Sequence, residues 1–182
     1  MGFSELGLSP ELLQAVSDAG YTIPTPIQQQ AIPHVQRGRD VLGCAQTGTG
    51  KTASFVLPMI DMLAAGRARV RMPRSLILEP TRELATQVAA AFEVYGKHHR
   101  LTMALLIGGE SFVDQERKLD RGVDVLIATP GRLLDLYGRG KISLPAKAGQ
   151  DHHRRRYCGR GDIGGAARSS LWRKLIRPLL KS

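Results

Sequence analysis

The eight residues Ala45-Gln46-Thr47-Gly48-Thr49-Gly50-Lys51-Thr52 carry the clearest chemistry in this 182-residue chain. They keep the spacing of the phosphate-binding loop G-x-x-x-x-G-K-[ST], with Ala45 in place of the first glycine. Small residues suit a backbone that must wrap an anion with its own N–H groups, and Gly48 and Gly50 permit angles that a side chain resists. A helix beginning near Lys51 points its positive end at the anion. In that arrangement Lys51 reaches the β- and γ-phosphates of a nucleoside triphosphate, and the Thr52 hydroxyl can ligate Mg2+. Ala45–Thr52 are therefore candidate nucleotide-binding residues. Lys51 and Thr52 are the candidate catalytic pair, and Thr52 is the candidate metal ligand.

Such a loop needs a strand before it and a helix after it. Asp40-Val41-Leu42-Gly43-Cys44-Ala45 reads as a buried strand, with Cys44 facing the core as inert packing. Lys51 to about Ala65 reads as a helix with Phe55, Ile60 and Leu63 available for its buried face. The alternation continues: strand Ser75–Leu78, helix Arg82–Tyr95 stopped at Gly96, strand Leu101–Ile107, short helix Asp114–Leu119, strand Asp124–Ala128, and a helix from near Arg132. Apolar strands alternating with helices imply an α/β domain whose parallel sheet is covered by helices on both faces, with ligands at the carboxyl ends of the strands. Ahead of the sheet, Ser9-Pro10-Glu11 supplies an N-cap, a first-turn proline and an acidic first turn for a helix that Gly20 ends. Pro24-Thr25-Pro26 forces a turn, and Ile27 onward is helical until Gly38.

The chain is long enough for one domain with a real core, and its 42% hydrophobic and 23% charged residues are ordinary for a globular protein. The first residues lack the basic and apolar regions of a secretory leader, and no apolar run approaches the ~20 residues of a membrane span. Cys44 and Cys158 make no metal-ligand spacing. The expectation is a reduced cytoplasmic protein with no membrane partner. Net charge is +10, but residues 1–144 carry 16 Lys and Arg against 14 Asp and Glu, while residues 145–182 carry 10 against 2. The excess lies almost wholly in the last stretch, where Gly, His and Arg run without apolar periodicity.

Further segments resemble the DEAD-box RNA helicases. Gly20-Tyr21-Thr22-Ile23-Pro24-Thr25-Pro26-Ile27-Gln28 resembles that family's Q motif, Pro80-Thr81-Arg82-Glu83-Leu84-Ala85 its motif Ia, Gly108-Gly109 its GG motif, and Thr129-Pro130-Gly131-Arg132 its motif Ib. With Ala45–Thr52 as motif I, five motifs stand in family order across about residues 1–144. The resemblance implies a RecA-like ATP-binding domain that acts on RNA, with ATP and Mg2+ as cofactors. It implies a Q-motif region over 1–38 and a partial RecA-like domain over 39–144. Gln28 would read adenine, because its amide donates and accepts at once. Thr25 belongs to the same motif, and Tyr21 and Phe3 would stack on the base or wall it. Pro80, Thr81, Arg82, Gly108, Gly109, Thr129, Pro130, Gly131 and Arg132 would hold the RNA sugar-phosphate backbone, which fixes register without reading sequence.

The resemblance stops near Leu144, where the family continues into an apolar strand ending in Asp-Glu-Ala-Asp. Residues 145–182 read instead as an aberrant basic tail, disordered or the product of a reading-frame shift near Pro145–Lys147. Moved one base forward, suitable codons for Lys147–Gly159 read Lys-Leu-Val-Lys-Ile-Ile-Ile-Val-Val-Asp-x-Ala-Asp, with x Ile or Thr. The coding DNA tests this: a shifted frame with no strand and no second domain sinks it. The expected function is the ATP- and RNA-binding half of a helicase, with little or no hydrolysis by this chain alone. The alternative is a non-enzymatic RNA-binding protein dominated by its basic tail, whose RNA binding survives Lys51→Ala and fails without 145–182. A P-loop kinase or GTPase is a third reading, against which the Q motif speaks.

Overall fold

The computed structural model describes residues 2–66 and 73–142, and helices and strands alternate in it from Lys51 to Gly138. Helices α1 (Pro10–Asp18), α2 (Pro26–Gln36) and α3 (Lys51–Ala64) come first. They are followed by β1 (Ser75–Leu78), α4 (Arg82–Gly96), β2 (Met103–Leu106), α5 (Phe112–Asp120), β3 (Val125–Ala128) and α6 (Pro130–Gly138). The described residues divide into two compact units, one of residues 2–66 and 87–101, the other of 73–86 and 102–142.

The first unit is helical. Leu12, Ala15 and Val16 of α1, Ala31 and Ile32 of α2, and Val56, Leu57, Ile60 and Leu63 of α3 are all out of water. With buried Gln28 added in α2, they follow the i, i+3, i+4 spacing that puts them on one helix face. Ser9 occupies the N-cap position of α1 as expected, but its hydroxyl makes no capping bond. Its backbone N–H instead donates to Asp61 Oδ1 at 3.2 Å, tying α1 to α3. Gly20 and Gly38, with φ of 80° and 72°, close α1 and α2 where expected.

The second unit holds a parallel sheet in the order β1-β3-β2, flanked by helices. Leu126 and Ala128 of the central strand pack with Ala104, Leu106, Leu133, Leu136 and Ile142, and Leu76, Leu78, Phe112 and Leu119 close over that cluster. Val125 and Ile127, on the other face of β3, are also fully buried. This two-sided burial is what a continuous apolar strand signals, and the sheet agrees with part of a RecA-like domain.

One expected strand is absent. Asp40–Ala45 forms no ladder, Val41 is 44% exposed and Leu42 is 94% exposed. Cys44, expected in the core, is exposed as well. A strand exists only through bonds to a neighbouring strand, and without one an apolar run has no pleated surface to join. The segment 145–182 lies outside the described residues. Among those described, no helix is long and apolar enough to cross a membrane.

At the amino ends of the strands, Arg74 Nη1 meets Asp124 Oδ1 at 3.0 Å, and both Thr102 N and Thr102 Oγ1 donate to Asp124 Oδ2 at 3.0 Å. Burial pushes the Asp124 carboxyl up, but the bonds from Thr102 and Arg74 outweigh it and hold the group below the ordinary aspartate value of 3.8. A depressed folded pKa contributes stability that is present above that ordinary value and lost as pH falls through the folded one. Asp124→Asn is therefore expected to lower the unfolding free energy by about 1–2 kcal/mol at pH 7. Urea titrations of both proteins at pH 7, 5 and 3 check this: the gap holds to pH 5 and narrows on the acid side of pH 4.

Candidate functional site

The phosphate loop lies in the first unit and takes its shape from two glycines. Gly48 and Gly50 adopt φ of 79° and 80°, and Gly50 is the N-cap of α3. That left-handed turn delivers Lys51 and Thr52 to the first turn of the helix, where free N–H groups and the helix dipole favour an anion. Thr49 Oγ1 donates to the Gln46 carbonyl at 2.7 Å, and Lys51 Nζ donates to the Ala45 carbonyl at 2.5 Å. The loop is thus held by its own residues, with the ammonium folded over it.

Gln28 is 4% exposed and reaches this loop from α2. Its Oε1 accepts from Thr25 N at 2.9 Å, and its Nε2 donates to the Gly50 carbonyl at 3.2 Å. The structure therefore brings the Q-motif glutamine to the glycine that starts α3. A Cβ on Gly50 would collide with Gln28 Nε2 and fall 3.4 Å from Thr25 Oγ1, and the Thr25 hydroxyl is buried without a hydrogen-bond partner among the described residues. The two aromatic candidates separate. Phe3 is buried at 7% exposure beside Leu6 in a short 3-10 turn, whereas Tyr21 is 53% exposed. The Tyr21 ring tilts against Tyr95, with centroids 6.3 Å apart. Burial, then the Tyr21 neighbour, push the Tyr95 phenol up to about 12.

In the second unit, three expected segments converge. Pro80-Thr81-Arg82 follows β1, Gly108-Gly109 follows β2, and Thr129 to Arg132 follows β3, so all leave the carboxyl ends of parallel strands. Of the nine candidate RNA-binding residues, all but Pro130 line one open cleft of about 860 Å3. Helices α4 and α6 begin at this cleft, Arg82 and Thr129 standing at or beside their first residues. Thr81 Oγ1 accepts from Leu84 N at 3.3 Å, capping α4. Gly109 has φ of 84°, and a Cβ there would meet Arg82 Nη1 at 2.8 Å and Nη2 at 3.1 Å. The guanidinium of one segment thus lies across the backbone of another.

Arg132 is placed differently from Arg82. Its side chain is 7% exposed. Nε donates to the Ile107 carbonyl at 3.0 Å and Nη2 to the Glu110 carbonyl at 2.6 Å. The cleft also contains Glu83, Glu110, Phe112 and Asp135, which the motif reading passed over. Asp135 was findable, three residues after Arg132 on the same helix face. Phe112 had only its position after Gly109 to suggest it. Among the acids near the cleft, Glu83 is held below the ordinary value by its own backbone N–H and the Thr81 hydroxyl. Burial pushes Glu79, next to Pro80, above it.

The DEAD/DEAH box helicase profile matches residues 25–151, a span that covers both the phosphate loop and this cleft. The chain belongs to the DEAD/DEAH box helicase family. It is 46% identical over 148 residues to the ATP-dependent RNA helicase DeaD of Klebsiella pneumoniae, covering 81% of this chain and 23% of that protein. It is 49% identical over 135 residues to the ATP-dependent RNA helicase DBP10 of Pyricularia oryzae, covering 74% and 15%. A third relative, the ATP-dependent rRNA helicase RRP3 of Debaryomyces hansenii, is 45% identical over 133 residues, covering 73% and 27%. This DEAD/DEAH box chain therefore spans between 15% and 27% of the length of these relatives. All three relatives are enzymes by name.

Proposed function

We propose that this chain binds ATP at the phosphate loop and the backbone of RNA in the strand-end cleft, as the first half of an ATP-dependent RNA helicase. The convergence of three family segments at the carboxyl ends of β1, β2 and β3 supports the RNA reading most directly. The backbone of Gly108 and exposed Gly109, the Arg82 guanidinium and two helix starts make a surface for phosphates. None of these groups reads a base edge, so binding is expected to be insensitive to sequence, and a 2′-hydroxyl contact would favour RNA over DNA.

At the other site, Gly48 to Gly50 would wrap the phosphates, and Lys51 would exchange the Ala45 carbonyl for the β- and γ-oxygens. Gln28 would exchange at least one of its present partners for adenine. Among the described residues no cluster of three His, Cys, Asp or Glu could hold a metal. Mg2+ would therefore be held chiefly by the nucleotide's own phosphates and water, with Thr52 as its protein ligand. The ion supplies neutralisation of the charge developing between the phosphates. The 182 residues contain no Asp-Glu-Ala-Asp run, so nucleotide binding with little or no turnover by this chain alone is the expected behaviour.

Calorimetry with ATP, Mg2+ and the full chain tests this. Lys51→Ala removes a charge-assisted contact and is expected to weaken ATP binding by roughly 10- to 100-fold. Gln28→Ala should cost about tenfold and narrow the preference for ATP over GTP. Turnover that depends on Lys51 would overturn the expected inactivity, and a preference for GTP over ATP would revive a GTPase or kinase. RNA binding indifferent to every cleft substitution would favour the second reading, in which the charge of residues 145–182 does the binding.

A further inference from the structure

We propose that Arg132 acts as a positioning residue: with Phe112, Asp135 and Arg139 it clamps the Gly108-Gly109-Glu110 loop into its RNA-binding form and makes no phosphate contact itself. The proposal rests on the RNA-backbone reading above and refines one of its residues. Cζ of Arg132 lies 3.7 Å from the centroid of the Phe112 ring, and Cζ of Arg139 lies 4.4 Å from the same centroid. Two guanidinium groups therefore engage the first residue of α5, directly after the loop. They stand seven residues apart, Arg132 in the first turn of α6 and Arg139 at its C-cap, and so project from the same side. Asp135 lies between them and serves both, with Oδ1 2.9 Å from Arg139 Nε and Oδ2 3.8 Å from Arg132 Nη1.

The planar fork of Arg132 does the rest. Its Nε and Nη2 hold the carbonyls of Ile107 and Glu110, the residues on either side of Gly108-Gly109. A single side chain thus grips both ends of the glycine pair while its face rests on the ring that follows. Arginine suits this task because it presents donors in a rigid plane and stacks on an aromatic face; lysine does neither. With its side chain 7% exposed, Arg132 is poorly placed for a solvated phosphate, unlike Arg82, whose residue is exposed.

The test is the salt dependence of binding of a fluorescent single-stranded oligouridylate to the full chain and its variants. Each phosphate contact contributes roughly one unit to the slope of log K against log salt. Arg82→Gln should lower that slope by about one. Arg132→Gln and Arg132→Lys should both lose roughly tenfold in affinity with the slope unchanged. Arg139→Gln, at an exposed position, should lose a few-fold with the slope unchanged, and Phe112→Leu should weaken binding where Phe112→Tyr does not. A slope lower by one in Arg132→Gln, restored in Arg132→Lys, would make Arg132 a phosphate contact and overturn the clamp alone. Failure of the unsubstituted chain to bind the RNA would overturn the RNA reading and the clamp with it. Residues 145–182 are the same in every variant, so their charge cancels in the comparison.

Discussion

Gly50→Ala should remove the nucleotide site and lower the stability of the chain by roughly 2–5 kcal/mol, with Gly48→Ala costing about 1–2 kcal/mol. Both glycines sit near φ of +80°, so both substitutions meet the left-handed penalty. They differ in what a methyl group would touch. At Gly48 it would meet nothing within 4 Å, whereas at Gly50 it would collide with the Gln28 amide nitrogen. Relief requires the Gln28 side chain to leave, which breaks its bond to the Gly50 carbonyl and strands a buried amide. Thermal unfolding of the two variants, with and without Gln28→Ala, separates these terms. In the Gln28→Ala background the cost of Gly50→Ala should shrink toward that of Gly48→Ala. Costs that simply add would show that the close approach to Gln28 is not what makes Gly50 necessary.

Gly109→Ala should weaken RNA binding by roughly 10- to 100-fold and lower its salt slope by about one, while Gly108→Ala has a much smaller effect. The methyl group at residue 109 would fall 2.8–3.2 Å from the guanidinium of Arg82. That group is the far end of a flexible chain, so it can swing away at modest cost to stability. The price is functional, because Arg82 then leaves the loop that it crosses, and the residue at 109 is also strained at φ of 84°. At Gly108 a methyl group meets nothing within 4 Å. Oligouridylate titrations across salt concentrations check both variants. A Gly109→Ala protein with weaker binding but an undiminished slope would mean that Arg82 is not a phosphate contact in this chain.

Most helices and three of the strands were legible in the sequence, because their signals are local. Ser9-Pro10 and Gly20 bracket α1, Pro26 opens α2, and Lys51 begins α3 directly after two glycines. Leu76-Ile77-Leu78 and Val125-Leu126-Ile127 are apolar over lengths that suit a buried strand. The family motifs supplied the candidate residues of both sites for the same reason: each motif is a short run whose order along the chain is itself the signal. Asp40–Ala45 shows the limit of that reasoning. Its apolar residues suit a buried strand, yet among the described residues it joins no ladder, and it leaves Leu42 in water. Apolar pattern reports what a segment could bury, while pairing depends on whether a neighbouring strand is there to receive it.

The sequence alone determined the α/β alternation, the glycine-rich loop and the placement of three motifs after three strands, since these follow from residue type and spacing within a few residues, and it pointed to the family through segments that resemble that family's motifs. Tertiary structure decided what each site residue does with its neighbours. It set Gln28 against Gly50, laid Arg82 across Gly109, buried Phe3 while exposing Tyr21, and turned Arg132 onto Ile107, Glu110 and Phe112. These pairings join residues far apart in sequence, and a side chain with several possible partners takes the ones that packing brings within hydrogen-bond distance. An arginine in a motif is therefore a charge until the fold shows which of its nitrogens are already held.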